Sequence, residues 1–298
     1  DLLRRFLSFW ETNMPDVLTG WNTRFFDLPY LINRIKVRLG EDEIKRLSPW
    51  KAVFNDNVYK MGRNHTAFDI IGVSQLDYLE LYQKYTYSAQ ESYTLDHIGF
   101  VELGKQKDKN PYETFRDWYT KDYQSFIDYN IMDVELVDAL EDKMKLIDLH
   151  ITMAYFAKCN YNDVFSQVKM WDIIMYNFLR KKNIQIPMLH KQEKSEAYAG
   201  AYVKDPQVGL HKWVCSFDLN SLYPHLIMQY NISPETIVGM SESHPGVDNM
   251  LSKSYDTSSV RDVNQTITPN GALFSRDKHG FLPELMHKMY SDRSATKK

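Results

Sequence analysis

From Val134 onward the apolar residues of this chain fall at helical spacing: Val137, Leu140, Met144, Ile147, Ile151 and Ala154 recur by three and four. That spacing lines one face of a helix and requires a core for the face to cover. A second helical run is predicted from Val164 to Lys181, ending before Pro187. Both faces read as core packing rather than as cofactor boxes. The preceding stretch, to about residue 145, mixes strand-like runs with helices. Asp16 to Asn22 reads as a short strand entering a loop, Leu28 to Leu39 as a helix, Thr66 to Val73 as a strand, and Leu76 to Tyr82 as the segment that follows. The predicted class is therefore α+β. With 298 residues, 43% of them apolar, the chain can form two domains or parts of three, and a disordered or collagen-like chain is excluded.

Composition removes several functions. Cys159 and Cys215 lie far apart and outside any CxxC or Cys/His cluster, which argues against a disulfide framework or structural zinc and suits a reducing cytoplasm. No apolar run approaches ~18 residues, so no membrane span is expected. There is no charged-then-apolar leader. The net charge of −3 is not that of a strongly basic nucleic-acid binder, although residues 261–298 carry seven Lys/Arg against four Asp/Glu. The chain opens on Asp1 inside an amphipathic pattern and closes just after another, so it reads as a piece of a longer protein.

Further along, residues 188–210 read as a connector. Trp213 to Asp218 reads as an apolar strand ending on an acid, Leu222 to Tyr230 as a helix, and the polar stretch Ser241 to Asn264 as a surface loop or insertion. Four short patterns carry possible chemistry. In Asn22-Thr23-Arg24-Phe25-Phe26-Asp27 a carboxylate follows a Gly-Trp-Asn turn at the mouth of a predicted helix, where an ordinary helix cap is the alternative. Tyr129 and Asp133 are i and i+4 on a predicted helix, so the phenol and the carboxylate share a face. Such a pair suits a metal-bound water that must be held and oriented, and surface or capping residues are the alternative.

The third pattern, Ser216-Phe217-Asp218-Leu219-Asn220-Ser221-Leu222-Tyr223-Pro224, ends a strand on an acid and turns into a helix. Asp218 and the Leu219 carbonyl offer hard oxygen ligands for Mg²⁺, and the amides around Ser221 to Tyr223 offer a nest for phosphate oxygens. Tyr223 would lie beside the sugar that the phosphate carries. An acid capping a helix before a Tyr-Pro turn is the alternative. Fourth, Arg293 and Lys297 sit i, i+4 on a predicted helix, as a polyphosphate clamp or a solvated face.

Taken in order, these patterns resemble family B DNA polymerases. Asp218 to Pro224 is similar to their first palm motif, Dxx(S/A)LYP. Asn22 to Asp27 and Tyr129 to Asp133 resemble the second and third motifs of their 3′–5′ proofreading exonuclease. Tyr198-Ala199-Gly200-Ala201 resembles the YxGG/A linker element, and Ser92 to Asp96 a stretch between the exonuclease motifs. Asn231 to Ile237 and Pro269-Asn270-Gly271 resemble more narrowly the replicative polymerases of T-even-type bacteriophages.

The resemblance implies an RNase H-like exonuclease domain over 1–145, a helical segment over 146–189, the N-terminal part of the palm over 190–279 and the start of the fingers over 280–298. It implies that Asp27 and Asp133 are exonuclease metal ligands and that Tyr129 orients the attacking water. Asp218 would bind both polymerase metals, with the Leu219 carbonyl as a further ligand. Ser221 and Leu222 would contact the incoming triphosphate through their backbone, Tyr223 would be the sugar steric gate, and Arg293 and Lys297 would grip the triphosphate. His225 departs from the Ser common in the family after Tyr-Pro.

The implied cofactors are two Mg²⁺ ions per active site, with Mn²⁺ an alternative. The implied partners are primer-template DNA, dNTPs and a sliding clamp reached through a C-terminal segment outside this sequence. The implied location is the cytoplasm of an infected bacterial host, with no membrane contact. The Asp-x-Glu first exonuclease motif, the finger KxxxNSxYG motif and the Asp-Thr-Asp palm motif are absent from this sequence, so the fragment alone is expected to lack synthesis. A stand-alone exonuclease of the DnaQ type with an unrelated C-terminal half would not need Ser-Leu-Tyr-Pro. A non-catalytic DNA-binding or virion protein would leave three acid motifs unexplained.

Overall fold

A computed structural model describes residues 1–60, 62–107, 110–188 and 203–297. The chain divides into two compact units, Asp1–Asn177 and Phe178–Lys298. The Tyr198–Ala201 linker element lies outside the described residues.

The first unit runs α1 (Leu2–Thr12), β1 (Val17–Gly20), α2 (Asp27–Leu39), a 3₁₀ turn (Glu41–Leu47), β2 (Val53–Lys60), β3 (Arg63–Ile70), β4 (Ser74–Asp77), α3 (Tyr78–Tyr85), α4 (Leu95–Leu103), α5 (Phe115–Lys121), α6 (Tyr123–Met144) and α7 (Leu146–Ala157). It enters α8 (Gln167–Lys181), within which the boundary falls. β1 and β4 pair in parallel with Gly20 opposite Asp77, and β2 and β3 form an antiparallel hairpin. Parallel neighbours need a crossover, and α2 with the hairpin supplies it.

Two cores follow from the apolar spacing. Ile32 and Ile35 of α2 pack with Leu7 and Trp10 of α1 and with Leu47, Ile70 and Val73. The Trp10 indole N–H also donates to the Leu47 carbonyl at 2.9 Å. Leu76, Tyr78, Leu81 and Tyr82 pack with Leu95, Ile98, Leu136, Val137, Leu140 and Leu146.

The long helical face is real but broken. Lys145 adopts φ 54°, α6 ends there and α7 begins at the next residue. The Glu141 carboxylate accepts from the Ile147 amide at 3.0 Å, so it caps the new helix. The spacing continues across the break because Val137, Leu140, Leu146 and Ile151 all meet one core.

The second unit contains α9 (Leu222–Tyr230), β5 (Ile237–Met240), α10 (Val247–Leu251), α11 (Ser258–Asp262), β6 (Gln265–Ile267), β7 (Ala272–Ser275) and α12 (Phe281–Thr296). Its sheet is antiparallel in the order β5-β7-β6. Pro224 falls in the first turn of α9, where its missing N–H would have had no helical partner. The stretch 241–264, expected as a loop, forms two short exposed helices. The expected strand Trp213–Asp218 is not formed, and Trp213 (97%) and Phe217 (92%) are exposed. An extended apolar segment becomes a strand only when a neighbour takes its backbone bonds, and no described strand lies beside it.

Candidate functional site

In the first unit the chain leaves β1 at Gly20, opposite Asp77. A side chain at Gly20, whose φ is +153°, would come within 2.4 Å of Thr23 Cγ2, so the turn needs glycine there. The Trp21 indole donates to the Tyr93 carbonyl at 3.1 Å, and its ring lies against Tyr78 and Tyr82. The Asp77 carboxylate, 1% exposed, accepts from the amides of Asn22, Arg24 and Leu79, each at 3.0 Å. Burial raises the Asp77 carboxyl, and these amides pull it the other way. The turn then runs into α2, whose first residue is Asp27. The N-cap position is Phe26, which offers no side-chain cap, and Asp27 stands one residue inside the helix.

Asp27 and Asp133 line one cleft of about 810 Å³, together with Asn22, Lys107, Asp138 and Glu141. Asp27 stands at the cleft wall, and its partial burial raises the carboxyl above its usual range. Asp133 projects from α6, with Tyr129 one turn earlier. The Lys107 ammonium is 2.5 Å from Asp133 Oδ1 and 5.5 Å from the centre of the Tyr129 ring. That carboxylate oxygen is buried and, among the described residues, its partner is this ammonium and no hydrogen-bond donor of good geometry. Tyr129 is held against Trp118, with ring centres 4.9 Å apart.

Asp27 and Asp133, the latter paired with the Lys107 ammonium, put two carboxylates on one cleft, oxygen donors of the kind a hard divalent cation takes. Among the described residues no cluster of three or more potential metal ligands forms.

The second unit places its motif differently. Asp218 and Leu219 are exposed, in the segment that is not a strand, and no second acid joins Asp218 in such a cluster among the described residues. Ser221 adopts φ 54° at the start of α9. Its carbonyl accepts from His225 Nδ1 at 2.9 Å, so that nitrogen carries the proton. Its hydroxyl accepts from Arg293 Nη1 of α12 at 3.3 Å. The His225 ring lies edge-on to Tyr290, centres 4.7 Å apart, so the departure at 225 forms a contact between α9 and α12.

Leu222 and Tyr223 open α9, with Tyr223 74% exposed, and Lys297 follows α12 as its C-cap. The Asn231 side chain donates to the carbonyls of Ser275 and Lys278 and accepts from the Gly280 amide, which braces the start of α12. The structure thus brings Asp27 together with Asp133 and Ser221 with Arg293, whereas Tyr129 packs on Trp118 and near the Lys107 ammonium and is not among the residues lining the cleft. Sequence reasoning missed Lys107 and Asp77. Asp77, an acid between a strand and a helix, carried a capping signal; Lys107, in a loop, carried none.

Residues 163–298 match the model of DNA polymerase family B, and residues 1–98 match that of the family B exonuclease domain. The chain belongs to DNA polymerase family B. It is 38% identical to the DNA-directed DNA polymerase of Escherichia phage RB69 and 35% identical to that of Enterobacteria phage T4, covering 100% of this chain and 32% of each relative. The DNA polymerase delta catalytic subunit of Candida albicans is 28% identical, over 100% of this chain and 29% of that protein. The chain thus spans about a third of the length of the curated relatives it matches. The polymerase match at 163–298 removes the reading of an exonuclease with an unrelated C-terminal half. Among the described residues no helix is long and apolar enough to cross a membrane.

Proposed function

We propose that this chain is the exonuclease-to-fingers portion of a phage DNA-directed DNA polymerase that copies DNA and removes mispaired 3′ ends. The observation that carries the excision half is the shared cleft of Asp27 and Asp133, on helices far apart in sequence. In this reading residues 1–145 are an RNase H-like exonuclease domain and 146–189 a helical segment. Residues 190–279 begin the palm and 280–298 the fingers.

In excision, Asp27 and Asp133 hold the metal site open to a single-stranded 3′ end, and the Tyr129 hydroxyl orients the water that attacks the last phosphodiester. In synthesis, Asp218 and the Leu219 carbonyl are metal ligands, and the backbone at Ser221 and Leu222 receives triphosphate oxygens. Tyr223 faces the sugar, and Arg293 and Lys297 grip the polyphosphate. Two divalent cations per site, Mg²⁺ or Mn²⁺, stabilise attacking and leaving oxygens when bound. The substrates are primer-template DNA and dNTPs, a sliding clamp is the partner, and the work takes place in the infected host cell.

Primer extension with Mg²⁺ and dNTPs tests this reading. The full-length protein is expected to extend a primer and trim a mispaired one. The isolated chain is expected to extend nothing, since its sequence carries no Asp-Thr-Asp palm motif. Extension by the isolated chain above a heat-killed control, or no synthesis by the full-length protein, would contradict it.

A further inference from the structure

The buried acid at the end of β4 has two jobs that can be separated. Asp77 Oδ1 accepts from Leu79, the second residue of α3, which is an ordinary N-cap bond. The same oxygen also accepts from Asn22, and Oδ2 accepts from Arg24, so both atoms reach across to the loop that follows β1. The Thr23 hydroxyl stands 3.5 Å from Oδ2. The register that sets Gly20 opposite Asp77 starts this loop directly beside the carboxylate.

The loop is continuous with the first turn of α2. The Asn22 carbonyl accepts from Phe26 at 3.1 Å and the Thr23 carbonyl from Leu28 at 2.9 Å, on either side of Asp27. A shift of Asn22–Arg24 therefore carries Asp27 with it. A helix cap alone needs one oxygen; the two bonds to the loop serve nothing in α3.

We propose that Asp77 is a positioning residue for excision, its carboxylate fixing the Asn22–Arg24 backbone and thereby where Asp27 enters the cleft. The inference rests on the exonuclease reading of Asp27 and Asp133. A metal-ligand carboxylate displaced by about 1 Å can cost on the order of a hundredfold in rate while leaving substrate binding intact.

Serine separates the two jobs. It is a good N-cap and can replace the bond to Leu79, but its single oxygen on a shorter arm cannot hold both Asn22 and Arg24. In the full-length polymerase, Asp77→Ser, Asp77→Ala and Asp27→Ala are compared by steady-state excision of a single-stranded oligonucleotide. Amide hydrogen exchange over residues 22–24 is measured alongside, with primer extension on the same preparations as a check of folding.

Asp77→Ser is expected to melt below wild type but above Asp77→Ala, because it keeps the cap while leaving a buried loop amide unpaired, and to extend primers normally. Its excision kcat should fall roughly 10- to 100-fold at a KM within about twofold, with faster exchange at Asn22 and Arg24. A merely structural cap predicts that serine restores excision. Asp77→Ser with kcat within twofold of wild type and unchanged exchange overturns the proposal while Asp27→Ala still abolishes excision. Excision that survives in Asp27→Ala overturns the exonuclease reading itself, and the positioning role with it.

Discussion

Lys107 Nζ stands 2.5 Å from Asp133 Oδ1, an ion pair formed between a loop and the middle of α6. It lacks hydrogen-bond geometry, and among the described residues the buried oxygen has no other donor. In the proposed metal role of Asp133 this ammonium would compete with a divalent cation for that oxygen. A partly exposed pair of this kind contributes about 0.2–1 kcal/mol. Lys107→Met is therefore expected to lower the Mg²⁺ concentration for half-maximal excision by roughly 1.4- to fivefold, the same energy expressed as an equilibrium. A metal titration of excision in the full-length protein checks this; an unchanged or raised half-saturation point would show that Lys107 does not compete.

Tyr223 lies in the first turn of α9 and is 74% exposed, which leaves it free to meet a ligand rather than fill a core. If the ring blocks a 2′-hydroxyl, Tyr223→Ala should raise ribonucleotide over deoxynucleotide incorporation by at least about tenfold, the scale of a steric pocket contact. Tyr223→Phe should leave the ratio near wild type because the ring remains. The measurement is the ratio of kcat/KM for rNTP and dNTP on one template with excision silenced. A parallel fall of both activities in Tyr223→Ala would remove the gate.

His150 links stability to pH. It is fully buried, and its Nε2 faces the Tyr161 carbonyl at 2.8 Å, so Nε2 carries the proton and Nδ1 accepts from the Tyr85 hydroxyl, also at 2.8 Å. Burial lowers its pKa below the ordinary 6.5, with the Lys84 charge adding to the effect, although the Tyr161 bond opposes it. The unfolded chain then binds a proton here before the folded one does. Stability is fully present above the ordinary value and is lost as pH falls below it toward the lowered folded value. Melting of the chain between pH 7.5 and 5 should show a decline that flattens in His150→Gln. That variant is expected to cost about 2 kcal/mol at neutral pH through two disturbed buried hydrogen bonds. An equal pH slope in both proteins would assign the decline to other groups.

Much of this architecture is legible without coordinates, and what is not has identifiable causes. The helices at Leu28–Leu39 and Leu222–Tyr230 follow from local spacing, which one helix satisfies by itself. The break at Lys145 is hidden because no glycine or proline marks it and the apolar residues on both sides face one core. Trp213–Asp218 has the composition of a strand, but a strand is made by its neighbours, and local pattern carries no information about them. Asp27 and Asp133 stand out as site candidates because their motifs fall in the order of a known family. The spacing alone leaves each compatible with a helix cap or a solvated face. Lys107 reaches Asp133 only through the fold, and nothing local to its loop announces it.

The two proposed metal sites make the most direct test, because they assign separate carboxylates to separate reactions. Excision of a mispaired 3′ end and single-nucleotide extension are measured side by side on full-length Asp27→Ala, Asp133→Ala and Asp218→Ala proteins. Loss of a metal-ligand carboxylate is expected to lower the dependent rate by roughly a hundred- to a thousandfold, as removal of a charge-stabilising group does. Asp27→Ala and Asp133→Ala should lose excision and keep extension, and Asp218→Ala should lose extension and keep excision. Extension near wild type in Asp218→Ala, or excision near wild type in either of the other two, would contradict the assignment.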